Sequence, residues 1–495
     1  MSSVSASASS SYQTLQWLDD ELGISILEPF GKLIAGRLVV KCKKCGKEKL
    51  LSAFDYYAGN GDGQCISCRL TSRLMKPLVH SFFGKMSISE EVVRQLVSDT
   101  RMAKSMLNAV KGVAKFGVKR PQPTGVPVVI VWNFTNQCNL DCLHCHQDSH
   151  HTTNKPELTT SQAMKVVDNM ADAGISILTF SGGEPLLRPD LYEVAKYATD
   201  RGIFCSVATN GTLLTREVSE KLYQADIKSI EIGLDGVSAK THDFLRNIPG
   251  SFDATIEGIK NCAKFGKFHD IAIATTLNKM NVKEIPQIID LCEELGATKF
   301  YLNRIIAAGR GKNVTHLDVS PKEKMEVLDH LCDRFIKATN GNGIMCYTRG
   351  MTYFARLCYQ RSNGNFFPVS EVLSGCDTIF KEDWRREMPN VIKTLAEGFG
   401  SCSAGLTYAG LSAEGDLLPC VPAPIKLGNL LEEKLEDIWV NNEILNHIRD
   451  RQSLGGVCGK CAYNGICGGC RYTAYEAVGN WLGTDISCPY GAKSS

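Results

Sequence analysis

Six short apolar runs, separated by stretches with helical spacing, constrain the fold of this chain more than any other feature. Runs that are apolar throughout are typical of parallel strands covered on both faces, and residues 161–173, between two of them, place their apolar side chains on one helix face. Strands that alternate with helices form parallel sheets through right-handed crossovers. We therefore predict an α/β fold that closes into a full or partial barrel, with functional groups at the carboxyl ends of its strands. The six runs are residues 128–132, 175–180, 203–208, 230–234, 271–275 and 299–302.

The composition is that of a globular protein, with 43% apolar residues, 22% charged residues and a net charge of +2 over 495 residues. This small charge gives no whole-chain argument for binding nucleic acid or membranes. No uninterrupted apolar run is long enough for a spanning helix, and the Ser/Ala-rich start lacks the cationic and apolar regions of a signal peptide. We expect a cytoplasmic protein with a disordered tail over residues 1–20 and no membrane partner.

The 21 cysteines are too sparse for a disulfide scaffold in a chain of this length, yet fourteen of them are clustered. In a reducing compartment, clustered thiols indicate metal ligands. The seven scattered cysteines are expected to be mostly small buried residues. The sequence therefore predicts a metalloprotein. The three groups are Cys42, Cys45, Cys65 and Cys68; Cys138, Cys142 and Cys145; and Cys402, Cys420, Cys458, Cys461, Cys467, Cys470 and Cys488.

The first group consists of two Cys-x-x-Cys pairs separated by 19 residues. This spacing is typical of a zinc ribbon, in which four thiolates close a tetrahedral site. A module of this size has little core, so metal binding would supply most of its folding energy. We predict a zinc-ribbon-like module over residues 21–75. A rubredoxin-like single iron uses the same four thiolates and stays an alternative.

A basic segment follows, with eleven Lys/Arg against three Asp/Glu between residues 69 and 120, a net charge of +8. Residues 87–90 (Ser-Ile-Ser-Glu) resemble a capping box that opens a helix running to about Phe116. One interpretation is a surface for an anionic partner such as RNA. We favour a solvated helix that packs on the next domain, and we do not expect nucleic acid as a partner.

The loop after the first predicted strand contains Cys138, Cys142 and Cys145. Three thiolates can hold three irons of a [4Fe–4S] cube. This loop contains no fourth cysteine, so one iron stays open to bind and reduce a ligand. The second predicted strand ends at residues 181–185 (Ser-Gly-Gly-Glu-Pro), where the two glycines would let a ligand at the cluster reach the backbone.

Over about residues 127–310 this arrangement resembles the radical S-adenosylmethionine (SAM) superfamily. The resemblance implies that the three cysteines bind the cluster and that the amino and carboxylate groups of SAM chelate the open iron. It further implies that Gly182, Gly183 and Glu184 receive the SAM ammonium and that Arg246 pairs with its carboxylate. Relatives usually carry Ser where this chain has Gly233, and a frequent aromatic residue where it has His146. The cofactor-binding residues implied are Gly182, Gly183, Glu184, Asn210, Arg246 and Asn278.

The last hundred residues resemble the SPASM extension of the same superfamily. By that resemblance, Cys402, Cys420 and Cys470 hold one auxiliary [4Fe–4S] cluster. Another is implied at Cys458, Cys461, Cys467 and Cys488, with zinc as the alternative for 458–470. The spacing 467–470 is one residue shorter than usual, so the fourth ligand of the first auxiliary cluster is Cys376, a substrate or nothing.

The predicted fold is an α/β partial (β/α)6 radical SAM barrel with an N-terminal zinc-ribbon-like module and a small C-terminal iron–sulfur domain. The predicted parts are a tail (1–20), the ribbon module (21–75), a basic helical linker (76–125), the barrel (126–345), a bridging region (346–395) and the auxiliary-cluster domain (396–495).

The resemblance implies an oxidoreductase or lyase that reductively cleaves SAM to a 5′-deoxyadenosyl radical, with electrons from a ferredoxin- or flavodoxin-type reductant. Auxiliary clusters suit a net oxidation of the substrate. The branch resembled most makes haem by the alternative sirohaem route or haem d1; residues 301–304, 308–311 and 467–475 carry this likeness. We therefore expect a tetrapyrrole side chain as substrate, its carboxylates held by Arg304 and Arg310. A ribosomal peptide or protein is the alternative, and RNA the second alternative; no catalytic side chain is assigned.

Overall fold

A computed structural model describes residues 24–61, 64–85, 89–119, 121–339, 341–362 and 401–491. The predicted tail, most of the predicted bridging region and Cys376 lie outside these residues. No helix in the described part of the chain combines the length and the apolar character needed to cross a membrane.

The described residues form a ten-stranded sheet in the order β10-β9-β8-β1-β2-β3-β4-β5-β6-β7. Strands β1 to β7 are parallel and follow one another in chain order, which confirms the predicted α/β fold. The strands are β1 (Val129–Thr135), β2 (Ile177–Gly182), β3 (Phe204–Thr209), β4 (Ser229–Gly233), β5 (Asp270–Leu277), β6 (Lys299–Arg304), β7 (Met345–Arg349), β8 (Tyr408–Leu411), β9 (Asp416–Leu418) and β10 (Gly428–Asn429).

The sheet extends beyond the six predicted strands at both edges. On one side β7 pairs with β6. On the other side β8, from the C-terminal part of the chain, pairs with β1 in parallel. Trp132 of β1 donates its indole N–H to the Ser412 carbonyl (3.0 Å), 280 residues away in sequence. The C-terminal region is therefore continuous with the barrel sheet.

Helices connect the strands and form the N-terminal region. Their apolar stripes match the predicted periodicity; in the helix after β1, for example, Ala163, Val166, Val167 and Met170 are all fully buried. The helices are α1 (Ile24–Leu38), α2 (Lys49–Ala58), α3 (Ile66–Lys85), α4 (Glu90–Ser98), α5 (Thr100–Phe116), α6 (Thr160–Ala173), α7 (Leu191–Asp200), α8 (Arg216–Gln224), α9 (Ala239–Arg246), α10 (Ser251–Phe265), α11 (Ile285–Glu294), α12 (Pro321–Thr339), α13 (Tyr353–Arg361), α14 (Leu435–Asn441), α15 (Glu443–Arg449), α16 (Gly456–Gly459) and α17 (Arg471–Val478).

The N-terminal four-cysteine group is present, but its scaffold is helical. In the described part of this module, the strand pairing is a single antiparallel bridge between Lys41 and Glu48. The second cysteine pair lies where α3 begins. The module is built from helices because α2 buries Leu50 and Phe54 at helical spacing.

The single helix expected from about residue 87 to Phe116 is divided into two helices, α4 and α5. Asp99 is extended (φ −76°, ψ 120°), ends α4 and caps α5 by accepting hydrogen bonds from the backbone N–H groups of Arg101 and Met102. An Asp side chain competes with the helical backbone in this way, so it breaks the helix and restarts it.

Helix α5 covers the amino ends of the barrel strands, in agreement with the favoured interpretation of the basic segment. Asn108 donates to the Gly174 carbonyl (2.8 Å), just before β2. Lys104 donates to the Gly202 carbonyl (2.6 Å), beyond the end of α7, and Lys111 approaches the Ala173 carbonyl at the end of α6 (3.5 Å). These cations complement helix carboxyl ends, where the dipole is negative.

We predict that Asp99→Ala loosens α5 because two backbone N–H groups lose their acceptor. Losing such a cap costs about 1 kcal/mol, so local opening should become roughly fivefold more frequent. Hydrogen–deuterium exchange over residues 100–116 measures this change. Asp99→Ser keeps a capping oxygen and serves as the control. Equal exchange in wild type and Asp99→Ala would contradict the capping role.

Candidate active site and metal centres

The loop after β1, which carries the predicted cluster cysteines, is fixed at several points. The N–H of Cys138 donates to the His150 carbonyl (2.9 Å), which closes the loop on itself. The N–H of Leu143 donates to the Leu245 carbonyl near the end of α9 (2.9 Å). Cys138 is buried, and the thiols of Cys142 and Cys145 are close enough to contribute to its pKa, which burial raises to about 12. The structure therefore brings the three cysteines together at the carboxyl end of β1.

Residues 308–311 support this loop from the other side. Arg310 donates to the carbonyls of Cys142 (3.0 Å) and Ser149 (2.8 Å) and pairs with Asp148 (3.2 Å). A Cβ atom at Gly309 would lie 2.6 Å from the Cys145 carbonyl oxygen, so a side chain there would displace the loop. The expectation that Arg310 holds a substrate carboxylate is wrong, because its guanidinium already binds the cluster loop.

The glycines after β2 also serve close packing against the cluster loop. A Cβ atom at Gly183 would lie 1.9 Å from the Gln137 carbonyl oxygen. That same carbonyl accepts the N–H of Glu184 (2.7 Å). The end of β2 and the start of the cluster loop are therefore in direct backbone contact, which brings the backbone of 182–184 next to Cys138.

The Glu184 carboxylate joins two strand ends and is fully buried. It accepts hydrogen bonds from the Thr209 hydroxyl (2.8 Å), the Asn210 N–H (2.7 Å) and the Leu186 N–H (3.1 Å). Burial raises the pKa of this carboxyl to about 7. Both carboxylate oxygens accept hydrogen bonds from these donors. The SAM contact expected of Glu184 is therefore assigned to its backbone atoms and not to its carboxylate.

Asn210 and Asn278, both predicted to bind the cofactor, have different positions. Asn210 donates to Asn139 in the cluster loop (2.8 Å) and lies 4.0 Å from the Cys138 Sγ. Asn278 is fully buried in the turn after β5, where its side chain donates to the Thr276 carbonyl (2.8 Å) and accepts from the Met280 N–H (2.8 Å). Asn278 therefore builds the turn, and Thr276 is the residue of this turn that lines the cavity described below.

Arg246 lies beside the cluster loop. Its guanidinium forms an ion pair with the buried Asp235 (2.8 Å), and one N–H approaches the Cys142 Sγ (4.0 Å). A Cβ atom at position 233 would lie 2.3 Å from the Arg246 Nη2. Position 233 carries Gly where relatives usually carry Ser, and the missing side chain leaves room for the Arg246 guanidinium. A buried cation at a thiol fits an anionic thiolate that binds iron.

The seven C-terminal cysteines form two neighbourhoods. Burial raises the pKa of Cys420, and the nearby thiols of Cys470 and Cys402 raise it further. These three line one cavity.

Around the other four cysteines, the Thr352 hydroxyl lies 3.4 Å from the Cys467 Sγ, and the guanidinium of Arg471 approaches the Cys458 Sγ (3.6 Å). Arg356 reaches Cys461 (3.9 Å). Such N–H donors fit anionic cluster thiolates. The assignment of each cysteine to a cluster stays a prediction.

The N-terminal thiols form a compact four-sided group. The Sγ–Sγ distances are 3.6 Å for Cys42 and Cys65, 3.5 Å for Cys45 and Cys68, and 3.9 Å for Cys45 and Cys65. A tetrahedral ion with metal–sulfur bonds of about 2.3 Å places its ligands about 3.8 Å apart. The group fits a single Zn or Fe ion. The N-terminal module contacts the barrel through α5, at the amino ends of the strands. The cluster loop lies at the opposite, carboxyl ends. This separation from the predicted active site favours a structural role for the ion.

One cavity of about 410 Å³ lies inside the barrel. At its upper end, where the carboxyl ends of the strands lie, the cavity contacts His144 and His146 of the cluster loop. It also contacts the thiols of the first C-terminal neighbourhood, Cys402, Cys420 and Cys470. Burial lowers the pKa of both His144 and His146 to about 4, so both imidazoles are neutral at physiological pH. The cavity therefore connects the cluster loop with the first auxiliary cysteines.

An ion pair crosses the lumen of this cavity. Arg349 of β7 binds Glu231 of β4 through both terminal nitrogens (2.5 and 2.6 Å). Its guanidinium also lies over the Tyr301 ring, 4.0 Å from the centroid. Sequence reasoning missed this pair because β4 and β7 are not neighbours in the sheet.

Arg304 stands at the upper end of the cavity and is 8% exposed. It donates to the Ile305 carbonyl (3.1 Å) and to the Thr473 hydroxyl (2.8 Å), which are both neutral acceptors. Within the described part of the chain, no carboxylate lies at ion-pair distance from Arg304. The expected place of Arg304 near the active edge agrees with the structure.

Comparison with known proteins gives the following matches. Residues 132–292 match the model of the radical SAM superfamily, and residues 402–471 match SPASM, an iron–sulfur cluster-binding domain. The chain is similar to the AdoMet-dependent heme synthase of Methanosarcina barkeri, with 34% identity over 367 residues, 74% of this chain and 97% of the relative. It is also similar to the pre-heme d1 synthase of Dinoroseobacter shibae, with 26% identity over 68% of this chain and 79% of the relative. The crystal structure of Streptococcus suis SuiB bound to the precursor peptide SuiA has a similar fold, with a TM-score of 0.59 and 17% identity over 88% of this chain and 92% of that chain.

We predict that replacing all three of Cys138, Cys142 and Cys145 by Ala abolishes formation of 5′-deoxyadenosine. These three thiols are the predicted ligands of the cluster that cleaves SAM, and among the described cysteines they are the group that lies beside Arg246. Anaerobically reduced protein is incubated with SAM, and the product is quantified by chromatography. Iron bound by the C-terminal cysteines should persist and serves as the folding control. Undiminished cleavage by this variant would contradict the assignment.

We predict that Gly233→Ala weakens SAM binding because the new Cβ displaces the Arg246 guanidinium. Loss of one charge-assisted hydrogen bond costs about 1.5–3 kcal/mol, so the Kd for SAM should rise roughly tenfold or more. Anaerobic calorimetry on the reconstituted protein measures this Kd. Gly84→Ala is the control, because a Cβ there meets nothing within 4 Å. An unchanged Kd for Gly233→Ala would contradict the role of Arg246.

Proposed function

Because this chain belongs to the radical SAM superfamily and carries a SPASM iron–sulfur domain, we propose that it oxidises a propionate side chain of an iron tetrapyrrole in haem biosynthesis. The chain is an enzyme of radical SAM chemistry. A [4Fe–4S] cluster held by Cys138, Cys142 and Cys145 would, with bound SAM, supply hydrogen-atom abstraction, and an auxiliary cluster held by C-terminal cysteines would supply an electron acceptor. The relatives named for heme and pre-heme d1 synthesis support this substrate class.

The proposed conversion turns a propionate into a vinyl group. One hydrogen atom leaves the carbon next to the ring, the carboxylate leaves as CO2, and one electron remains to be removed. The atoms and charges balance only if an electron acceptor lies near the substrate. The observation that carries the proposal is therefore the shared cavity, which contacts the loop of the SAM-cleaving cluster and the thiols of Cys402, Cys420 and Cys470.

Arg304 is the residue we propose to hold the substrate carboxylate. Its guanidinium is buried, lines the shared cavity and binds neutral acceptors within the chain. A buried cation of this kind gains most from an incoming carboxylate, which its planar fork binds in two-point geometry. The neighbouring Cys470 and Tyr472 place this position beside the first auxiliary thiols.

Part of the cavity wall is apolar and contains Val131, Ala208 and Ile306. The Glu231–Arg349 pair crosses the lumen beside the Tyr301 ring. Apolar walls exclude water from a reactive substrate radical.

We further infer that the external electron source is a ferredoxin- or flavodoxin-type protein, because each cleavage of SAM takes one electron. A location in the cytoplasm stays a prediction.

The test is an anaerobic assay in which reduced enzyme and SAM are incubated with Fe-coproporphyrin III or didecarboxysirohaem, followed by mass analysis. We expect loss of CO2 and two hydrogens from a propionate of one of them. In Arg304→Gln the KM for that tetrapyrrole should rise roughly tenfold or more, because a charge-assisted contact of about 1.5–3 kcal/mol is lost, while SAM cleavage persists.

Arg361→Gln is the matched control, since Arg361 pairs with Asp329 and Asp333 away from the cavity. An unchanged tetrapyrrole, together with a mass shift in a peptide encoded beside the enzyme, would reject the proposal in favour of a peptide maturase.

A further inference from the structure

Helix α3 presents an exposed aliphatic ridge that the proposed reaction does not use. The ridge consists of Ile66, Leu70 and Leu74, which are 80%, 61% and 68% exposed. Their spacing of four residues places all three on one helix face. Scattered apolar residues are normal on a protein surface, but an aligned group of this size indicates an interaction site.

The metal site fixes the direction in which this ridge faces. Cys65 and Cys68, at the start of α3, lie 3.6 and 3.5 Å from Cys42 and Cys45 through their Sγ atoms. On the side of α3 opposite the ridge, Cys68 and Ser72 are buried. Because thiols and core packing hold that side, α3 cannot rotate to bury its ridge.

A cationic rim surrounds the ridge. Arg69, Arg73 and Lys76 are exposed on α3, which contains no acidic residue. Lys43 and Lys44 are exposed on the turn that the cysteine contacts tie to the start of α3. The charge pattern therefore calls for an anionic partner that also accepts aliphatic side chains.

We propose that the aliphatic ridge and its cationic rim bind the anionic surface of a lipid bilayer. Aliphatic side chains at a bilayer boundary enter the acyl region, while Arg and Lys extend their charged ends to the phosphates. A nucleic acid would use the rim but leave the ridge in water. The ridge is also aliphatic, whereas protein interfaces are enriched in aromatic residues. The proposal replaces the sequence-based expectation that no membrane takes part, and it is independent of the substrate.

The test is sedimentation of the full-length, metal-loaded protein with vesicles. One vesicle preparation is pure phosphatidylcholine, and the other contains 30% phosphatidylglycerol, a proportion chosen for the assay. We expect binding to the anionic vesicles that weakens as salt rises, because surface charge attraction is screened. Leu70→Asp/Leu74→Asp should reduce the bound fraction at least tenfold, and Arg69→Gln/Arg73→Gln should reduce binding and its salt dependence.

Val478→Asp is the matched control, because Val478 is 66% exposed on α17 and distant in sequence from the ridge. Each variant must retain its N-terminal metal, which shows that the module is folded. Failure of the wild type to bind anionic vesicles would overturn the proposal, as would an equal loss in Val478→Asp. A dimer that disperses in Leu70→Asp/Leu74→Asp, or RNA binding that needs only the rim, would overturn it in favour of those partners.

Discussion

Backbone contact between the cluster loop and its neighbours is the constraint on which the active site depends. The end of β2 touches this loop through Gly183, and residues 309–311 touch it from the opposite side. In both places a Cβ atom would overlap a carbonyl oxygen of the loop. The loop is therefore positioned by main-chain atoms, which vary less with rotamer than side-chain contacts would. Three thiols held in this way can present a fixed geometry to iron.

The electrostatics of the site follow from burial. Arg246 is paired with Asp235 and adjoins Cys142, so its positive charge is shared between a carboxylate and a thiol. Arg304 has only neutral acceptors among the described residues. A buried cation that is paired with a carboxylate recovers part of its desolvation free energy from that ion pair. A buried cation without such a partner is best stabilised by a bound anion. This contrast separates Arg246, which adjoins the cluster cysteines, from Arg304, which suits a substrate carboxylate.

Local patterns predicted the barrel and the three cysteine groups, because strand period, helix period and ligand spacing are all written in short stretches of sequence. The alternation of apolar runs and helical stretches predicted six strands. The structure adds β7 to β10, whose runs are short and less uniformly apolar. Roles that depend on distant partners were not predictable. Arg310 binds the cluster loop through Cys142, 168 residues away, and this contact has no local signature. Asn278 builds a turn through partners two residues away on either side, which is a local pattern, but the resemblance had assigned it to the cofactor. The break at Asp99 was locally encoded, since Asp is a common cap, but the strong apolar stripe on both sides concealed it.

The pairing of β1 with β8 has a consequence for how the chain is made. One edge of β1 pairs with β2, and its other edge pairs with β8, which follows the barrel strands in the chain. The contact between Trp132 and Ser412 spans 280 residues of sequence. At synthesis rates of about 5–20 residues per second, the edge that pairs with β8 stays open on the ribosome for on the order of tens of seconds. An uncovered strand edge is a template for wrong pairing between nascent chains. Yield of correctly folded protein should therefore depend on translation speed between the two strands and on early chaperone binding.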